Sequence, residues 1–145
     1  MGKLVLLVDD DRLPMRTYVR ALEQNGFTVK HCLEPDGALE YLKEKGTMIA
    51  AVIVDIMLPP GKTRYTSHST NYGLTTGLLI MEDVRKQLPT VPLLVLTNVR
   101  NPDTLEKAGK FPSVAIFQKM ECSAFELARR VRDLIERQAR GEDAR

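Results

Sequence analysis

The sequence predicts an α/β fold in which a doubly wound, five-stranded parallel sheet carries helices on both faces. Five short apolar runs recur along the chain, and a segment with helical periodicity follows most of them. The first, third and fourth runs are nearly continuous in Val, Ile and Leu, which is typical of parallel strands covered on both faces. Because parallel strands need crossover helices of one hand, this alternation favours an open doubly wound sheet over a barrel.

The strand and helix candidates follow one another in a regular order. The strand candidates are residues 4–8, 27–33, 49–54, 91–96 and 114–117. The first four helix candidates are residues 14–24, 35–44, 77–87 and 102–108, and glycine or proline follows the first three. The last helix begins with a capping-box pattern from Ser123 to Glu126 and continues with an apolar stripe at helical spacing. The chain therefore contains five predicted βα units.

Size, composition and charge indicate one ordinary globular domain, which we place at residues 3–140, with residues 141–145 as a disordered tail. The 145 residues are 43% hydrophobic and 28% charged, enough for one core but too few for two ordinary domains. A net charge of +2 argues for neither nucleic acid nor a membrane surface as a partner. No apolar run has the length of a signal peptide or a membrane span, so we expect a cytoplasmic protein. Cys32 and Cys122 lack neighbours with metal-ligand spacing and are interpreted as buried or incidental thiols.

One segment breaks the alternation of strands and helices. Residues 60–76 contain no carboxylate and no apolar periodicity, so they predict a long loop. A loop of this length inside a compact domain is usually either functional or disordered. Two interpretations stay open, a lid or partner-docking element and a mobile surface insertion. Deletion of residues 62–72 is predicted to preserve the fold.

Polar side chains follow four of the predicted strands, at the edge where open α/β sheets bind ligands. The first strand runs into Asp9 and Asp10, the third into Asp55, the fourth into Thr97, and the fifth into Lys119. Carboxylates gathered at one edge need a cation, because like charges in one site push a pKa upward. Magnesium takes oxygen ligands and is commonly held by one or two carboxylates, so Asp9, Asp10 and Asp55 are candidate ligands.

This set of side chains also suits phosphoryl chemistry. A carboxylate can attack phosphorus to give an aspartyl phosphate when a metal and fixed donors offset the phosphoryl charge. Lys119 and Thr97 would supply those donors. Taken singly, Asp10 or Asp11 fits a helix cap, Thr97 a turn cap and Lys119 a solvated surface position. Their joint occurrence at successive strand ends favours the functional interpretation, with Asp11 alone left as a cap.

The ordered motifs resemble the response-regulator receiver family over roughly residues 3–140. They are Val8-Asp9-Asp10 after the first strand, Asp55 after Ile53-Val54, Leu96-Thr97 at the fourth strand and Lys119 after the fifth. The resemblance implies the flavodoxin-like (βα)5 receiver fold. It makes residues 60–76 an insertion after the third strand, between Met57-Leu58-Pro59 and a glycine, Gly77, that opens the third helix.

The resemblance also implies roles for the candidate residues. Asp9 and Asp10 would hold Mg²⁺ together with Asp55, and Asp55 would accept the phosphoryl group from a histidine kinase or a histidine phosphotransfer protein. Thr97 would hydrogen-bond the phosphoryl group and Lys119 would pair with it. We expect a single-domain response regulator, not an independent enzyme, in which phosphorylation switches binding to a downstream effector protein. The face built from the fourth helix, the fifth strand and the fifth helix would bind that effector.

Two departures from the family pattern lie at the end of the fifth strand. Met120 stands where the family usually has a proline after its lysine, so the peptide bond before it is predicted to be trans. Ile116 stands at the usual position of an aromatic switch residue, and Phe117 is predicted to lie on the opposite face of the strand. These departures leave open an alternative function, a phosphorylation-independent receiver that acts as a protein-binding module.

Three further departures surround Asp55. Asn98 stands where the family prefers a very small residue, which predicts a narrower entrance for phosphodonors. Met57 and Val99 stand where relatives can carry polar side chains that orient the hydrolytic water. The sequence therefore predicts slow autodephosphorylation.

Overall fold

The computed structural model describes residues 2–62 and 64–141. Its strands are β1 (Leu4–Val8), β2 (Thr28–Cys32), β3 (Ile49–Val54), β4 (Leu93–Thr97) and β5 (Val114–Gln118). Its helices are α1 (Arg12–Gln24), α2 (Pro35–Lys45), α3 (Thr76–Gln87), α4 (Pro102–Gly109) and α5 (Ala124–Ala139). Short 3-10 turns cover Gly46–Met48 and Lys119–Glu121. Of the predicted tail, residues 142–145 lie outside the described residues.

The strands form one parallel sheet in the order β2-β1-β3-β4-β5, which confirms the predicted doubly wound fold. Side chains alternate between two cores. Leu6 and Val8 face the core shared with α2, α3 and α4, whereas Val5 and Leu7 face the core shared with α1 and α5. The strand order reverses between β1 and β3, and this reversal marks the usual ligand position in such sheets.

The helix starts follow from their capping chemistry. The predicted capping box of α5 is present, with the Ser123 hydroxyl accepting from the Glu126 N–H and the Glu126 side chain accepting from the Ser123 N–H. The first helix begins at Arg12, two residues before the predicted start at Pro14. Proline is tolerated there because an N–H in the first turn has no intrahelical acceptor. Asp11 takes the N-cap position of α1, but its side chain makes no capping hydrogen bond.

Both cysteines, Cys32 and Cys122, are buried free thiols. Within residues 2–62 and 64–141, no helix combines the length and the apolar character needed to cross a bilayer.

The connection between β3 and α3 is anchored to the core by its side chains. Tyr65 is fully buried and belongs to the core on the α2–α3 side of the sheet. Its hydroxyl donates to the Asp83 carboxylate of α3, and the Arg64 Nε donates to the same oxygen at 2.9 Å. On the other side, the Lys62 N–H donates to the Asp36 carboxylate of α2 at 2.7 Å. The connection therefore closes over the groove between α2 and α3.

These contacts correct the expectation that residues 62–72 can be deleted without harm. Deletion would remove Tyr65 from the core and leave the Asp83 side chain, which is 10% exposed, without these two partners. Loss of a large buried aromatic side chain alone typically costs about 3–5 kcal/mol. We now expect such a deletion to unfold the domain or to weaken it severely.

Tyr65→Phe is expected to lower the free energy of unfolding by about 1–2 kcal/mol, because buried Asp83 loses a hydrogen-bond donor. Burial and the hydrogen bond to Asp83 both raise the pKa of Tyr65 above its ordinary value. The stabilising contribution of this hydroxyl is therefore fully present below about pH 10 and is lost as the pH rises toward the raised pKa. Urea unfolding of both proteins across this pH range measures the difference. Tyr72→Phe, on a side chain that is 78% exposed, should change stability by less than about 0.5 kcal/mol.

Candidate functional site

The candidate site lies at the carboxyl ends of β1 and β3, where the strand order reverses. Val8 and Val54 are register partners, and the Asp55 N–H donates to the Val8 carbonyl at 3.0 Å. Asp9 and Asp55 therefore leave the sheet side by side. The Lys119 ammonium, which follows β5, lies between them at 2.8 Å from Asp9 Oδ2 and 2.9 Å from Asp55 Oδ2. The side chains of Lys119, Asp9 and Asp55 are 12%, 2% and 9% exposed, so all three charges are largely removed from water.

Thr97, the last residue of β4, completes the contacts of Asp55. Its hydroxyl donates to Asp55 Oδ1 at 2.6 Å and accepts from the Val99 N–H at 3.1 Å. The Val99 N–H occupies one lone pair of the Thr97 hydroxyl, so the proton of the hydroxyl points to Asp55. The two carboxylate oxygens of Asp55 are thus held by a hydroxyl on one side and an ammonium on the other.

Asp10 is placed differently from the other candidate residues. It follows Asp9 at the same edge but is solvent-exposed, whereas Asp9 Oδ1 accepts from the Asp11 N–H at 2.9 Å. Across the part of the chain that the structure describes, no three His, Cys, Asp or Glu side chains are grouped to share a metal ion. The structure brings together four of the predicted residues, Asp9, Asp55, Thr97 and Lys119, and leaves Asp10 exposed at the rim of the site.

The buried carboxylates of the site carry more negative charge than Lys119 offsets, so the site can accept a further cation. Burial raises the pKa of Asp9, and the hydrogen bonds from Lys119 and the Asp11 N–H only partly offset this effect. Burial alone would lower the pKa of Lys119, but its hydrogen bonds to Asp9 and Asp55 and their charges raise it overall. Lys119 is therefore a cation at neutral pH, yet it does not fully compensate the buried Asp9 carboxylate. Carboxylate oxygens with this residual negative charge, and exposed Asp10 beside them, fit a hard divalent cation such as Mg²⁺.

Gly77 fixes the distance between α3 and Asp55. Its N–H donates to the Ile56 carbonyl at 2.8 Å, and a Cβ at this position would overlap the Asp55 carbonyl oxygen. Beside it, the Thr76 hydroxyl donates to the Leu58 carbonyl at 2.7 Å. The first turn of α3 thus packs directly against the backbone that carries Asp55, and the helix begins at Thr76, one residue before the predicted start at Gly77.

The departures at the end of β5 have clear structural counterparts. The described residues contain no cis peptide bond, so the bond before Met120 is trans as predicted. Ile116 packs against the core on the α4 side, whereas Phe117 packs on the α1–α5 side with the Arg130 guanidinium 5.4 Å from its ring centroid. The predicted opposite orientation of these two side chains is confirmed.

One contact near the site was not anticipated from the sequence. The Gln118 side-chain amide donates to the Val99 carbonyl at 2.8 Å and so ties the end of β5 to the segment after β4. Val99 in turn donates its N–H to Thr97. A glutamine before a lysine carries no recognisable pattern, so only the three-dimensional proximity of β4 and β5 shows this contact.

The fold and the site together define a class of protein, a parallel α/β domain that presents an aspartate, a hydroxyl and an ammonium at the switch point of its sheet. A family model described as the response regulator receiver domain matches residues 5–132. The chain belongs to the response regulator receiver domain family. Membership implies acceptance of a phosphoryl group in two-component signalling, and receiver domains generally bind Mg²⁺ at their acidic pocket.

Solved structures support the same fold. A response regulator receiver domain protein from Methanospirillum hungatei matches with a TM-score of 0.77 and 16% identity, covering 97% of this chain and 99% of that one. The signal receiver domain of an HD domain-containing protein from Pseudomonas fluorescens matches with a TM-score of 0.76 and 18% identity, over 97% and 99% of the two chains. A response regulator receiver protein from Sinorhizobium medicae gives 0.75 and 20%, over 94% and 97%. A search of curated proteins found no match.

Proposed function

We propose that this receiver domain accepts a phosphoryl group on Asp55 in a magnesium-dependent reaction, from the phosphohistidine of a histidine kinase or a histidine phosphotransfer protein. The observation that carries the proposal is the arrangement around Asp55. One carboxylate oxygen contacts the Thr97 hydroxyl, the other contacts the Lys119 ammonium, and Asp9 shares that ammonium. The cytoplasm, where ATP charges histidine kinases, is the compartment in which this transfer would take place.

In the proposed reaction, a carboxylate oxygen of Asp55 attacks phosphorus. A P–O bond forms as the P–N bond to the donor histidine breaks, and the imidazole of the donor leaves. The Thr97 hydroxyl and the Lys119 ammonium, which now contact Asp55, are the fixed donors that stabilise the phosphoryl oxygens. Mg²⁺, held by Asp9, Asp10 and Asp55, would supply additional positive charge to the same oxygens. No turnover of any other substrate is proposed.

The readout of phosphorylation is proposed to be a change in the face formed by α4, β5 and α5, which binds a downstream effector protein. The backbone of Val99 connects the site to this face. Its N–H donates to the Thr97 hydroxyl, and its carbonyl accepts from the Gln118 amide of β5. When the Thr97 hydroxyl turns to a phosphoryl oxygen, the Val99 backbone has to follow or lose a hydrogen bond. The connection takes the place of an aromatic switch, for which Ile116 is unsuited.

Transfer of radiolabelled phosphate from an autophosphorylated histidine kinase tests the proposal. We expect label on the chain in Mg²⁺ and little or none after chelation with EDTA, because the buried carboxylates and the incoming phosphoryl group would then repel each other. Thr97→Ala should slow the transfer, since one fixed donor is lost. Labelling that is insensitive to EDTA would contradict the metal requirement.

Hydrolysis of the aspartyl phosphate is expected to be slow, with a half-life of minutes or longer. Met57 is 49% exposed beside Asp55, and its thioether offers only a weak hydrogen-bond acceptor to orient an attacking water. Met57→Asn should shorten the half-life severalfold, which a time course of intact mass after removal of the donor would show. Met48→Asn, at the opposite edge of the sheet, is the control. A half-life of seconds in the wild type would contradict this interpretation.

A further inference from the structure

Large apolar side chains are exposed mainly around the phosphoacceptor edge of the sheet. In the described parts of the chain, this group comprises Leu13, Met48, Met57, Tyr72, Leu74, Met120 and Phe125. Within it, only Met48 lies at the opposite edge, in the turn before β3. The other members follow a strand or lie at or just before the first turn of α1, α3 or α5. Apolar surface concentrated at one place on a domain marks a site of interaction.

Met57, Tyr72 and Leu74 form the part of this surface contributed by the connection between β3 and α3. The Leu58 N–H donates to the Gly73 carbonyl at 3.1 Å, so residues 72–74 run alongside the backbone that follows Asp55. Met57 is 49% exposed, Tyr72 78% and Leu74 49%. We call these three side chains the docking patch. It lies at the rim of the phosphoacceptor site.

The backbone holds Tyr72 of the docking patch in a conformation that is costly for its side chain. Asn71 and Tyr72 have φ angles of 52° and 58°, in the left-handed region that a bulky side chain rarely adopts. The Tyr72 N–H donates to the Ser67 carbonyl at 2.7 Å, and the Gly73 N–H donates to the Thr70 carbonyl at 3.2 Å. A large aromatic side chain that a strained backbone holds exposed to solvent is typical of a recognition element that is preorganised for binding.

We propose that the docking patch binds the protein that carries the donor phosphohistidine, an inference that rests on the proposed function. Asp55 has a side chain that is only 9% exposed, at the bottom of the site. A donor histidine must therefore be inserted into the site, and the donor surface around that histidine must cover the rim. A rim of exposed Met, Tyr and Leu fits an apolar surface on that donor. The connection after β3 thus selects the protein donor, whereas a small phosphodonor does not need it.

The test compares two donors on the same variants. Phosphoramidate is the small donor, and the protein donor is the autophosphorylated histidine kinase, from a purified panel, that phosphorylates the wild type fastest. The variants are Tyr72→Asn and Leu74→Ser. Asparagine is chosen at position 72 because it tolerates the left-handed backbone conformation found there. Met48→Ser removes an apolar side chain at the opposite edge whose exposure, 67%, lies between those of Tyr72 and Leu74, and it is the matched control. The measured quantity is the ratio of the kinase-dependent rate to the phosphoramidate-dependent rate, at kinase concentrations below saturation.

We expect Tyr72→Asn to lower this ratio by about tenfold, because aromatic anchors dominate protein interfaces, and Leu74→Ser to lower it less. Met48→Ser should leave the ratio at the wild-type value. An unchanged ratio in Tyr72→Asn and Leu74→Ser would overturn the docking patch, and if both rates had fallen equally the cause would be a distorted site. Failure of both phosphoramidate and every kinase of the panel to phosphorylate the folded wild type would instead contradict the proposed function itself.

Discussion

Gly77→Ala is expected to remove most phosphorylation of Asp55 and to lower the free energy of unfolding by about 2 kcal/mol. The added Cβ would overlap the Asp55 carbonyl oxygen, and the nearby Ile56 Cα leaves it no other space. Either α3 moves outward or the backbone of Asp55 shifts, and both changes separate Asp55 from Thr97 and Lys119. Positioning of reacting groups is sensitive to displacements of about 1 Å, so a modest loss of stability accompanies a large loss of rate. Urea unfolding and phosphorylation by phosphoramidate measure the two effects.

Gly37→Ala is the matched control for this substitution. Gly37 lies within α2, and a Cβ built there meets no atom within 4 Å. Alanine in a helix loses less conformational entropy than glycine, so this variant should gain about 0.4–1 kcal/mol and retain the wild-type phosphorylation rate. If Gly77→Ala were as stable and as active as Gly37→Ala, the close packing of α3 against Asp55 would be wrong.

Lys119→Met is expected to lower the free energy of unfolding in EDTA by about 3 kcal/mol, because it leaves Asp9 and Asp55 as buried charges without their shared partner. Since the pKa of Lys119 is raised in the folded state, its contribution is fully present below about pH 10.5 and is lost as the pH rises through the raised value. The difference between wild type and variant should therefore be present at neutral pH and shrink in strong alkali. Phosphorylation should also be lost, because the ammonium is one of the two fixed donors at Asp55.

Arg100→Met provides the comparison for Lys119→Met. Arg100 pairs with Glu121 at 3.5 Å, but the two side chains are 62% and 67% exposed. An exposed pair of this kind contributes less than about 1 kcal/mol, so the variant should be nearly as stable as the wild type. Equal losses of stability in the two variants would show that the buried contacts of Lys119 with Asp9 and Asp55 contribute no more to stability than an exposed ion pair.

The fold could be predicted because its signals are local and repeated. Apolar runs such as those that became β1 and β3 are continuous and lie between segments with helical periodicity, so both the class and the order of elements followed from the sequence. The convergence of Asp9, Asp55, Thr97 and Lys119 then followed from topology, since parallel strands end at one edge. The start of α1 was misplaced because proline is accepted throughout a first helical turn.

The packing of the connection after β3 could not be predicted. Its anchors, Tyr65 on Asp83 and the Lys62 N–H on Asp36, join residues that are distant in the chain and follow no periodic pattern. A segment rich in hydroxyls and lacking apolar periodicity therefore looked dispensable, although it contributes a fully buried side chain to the core. The separate position of Asp10 was equally hidden, because adjacent residues at a strand end need not point into the same site.

The most direct test of the central claim is the intact mass of the folded protein after incubation with phosphoramidate and Mg²⁺, in the wild type and in Asp55→Asn. The account predicts a single phosphoryl adduct on the wild type and none on Asp55→Asn, since the amide is not a nucleophile toward phosphorus. An adduct of equal yield on Asp55→Asn would contradict the assignment of Asp55 as the phosphoacceptor. Absence of any adduct on a folded wild type that still binds Mg²⁺, with phosphoramidate and with a panel of autophosphorylated histidine kinases alike, would contradict phosphoryl acceptance and favour a phosphorylation-independent binding module.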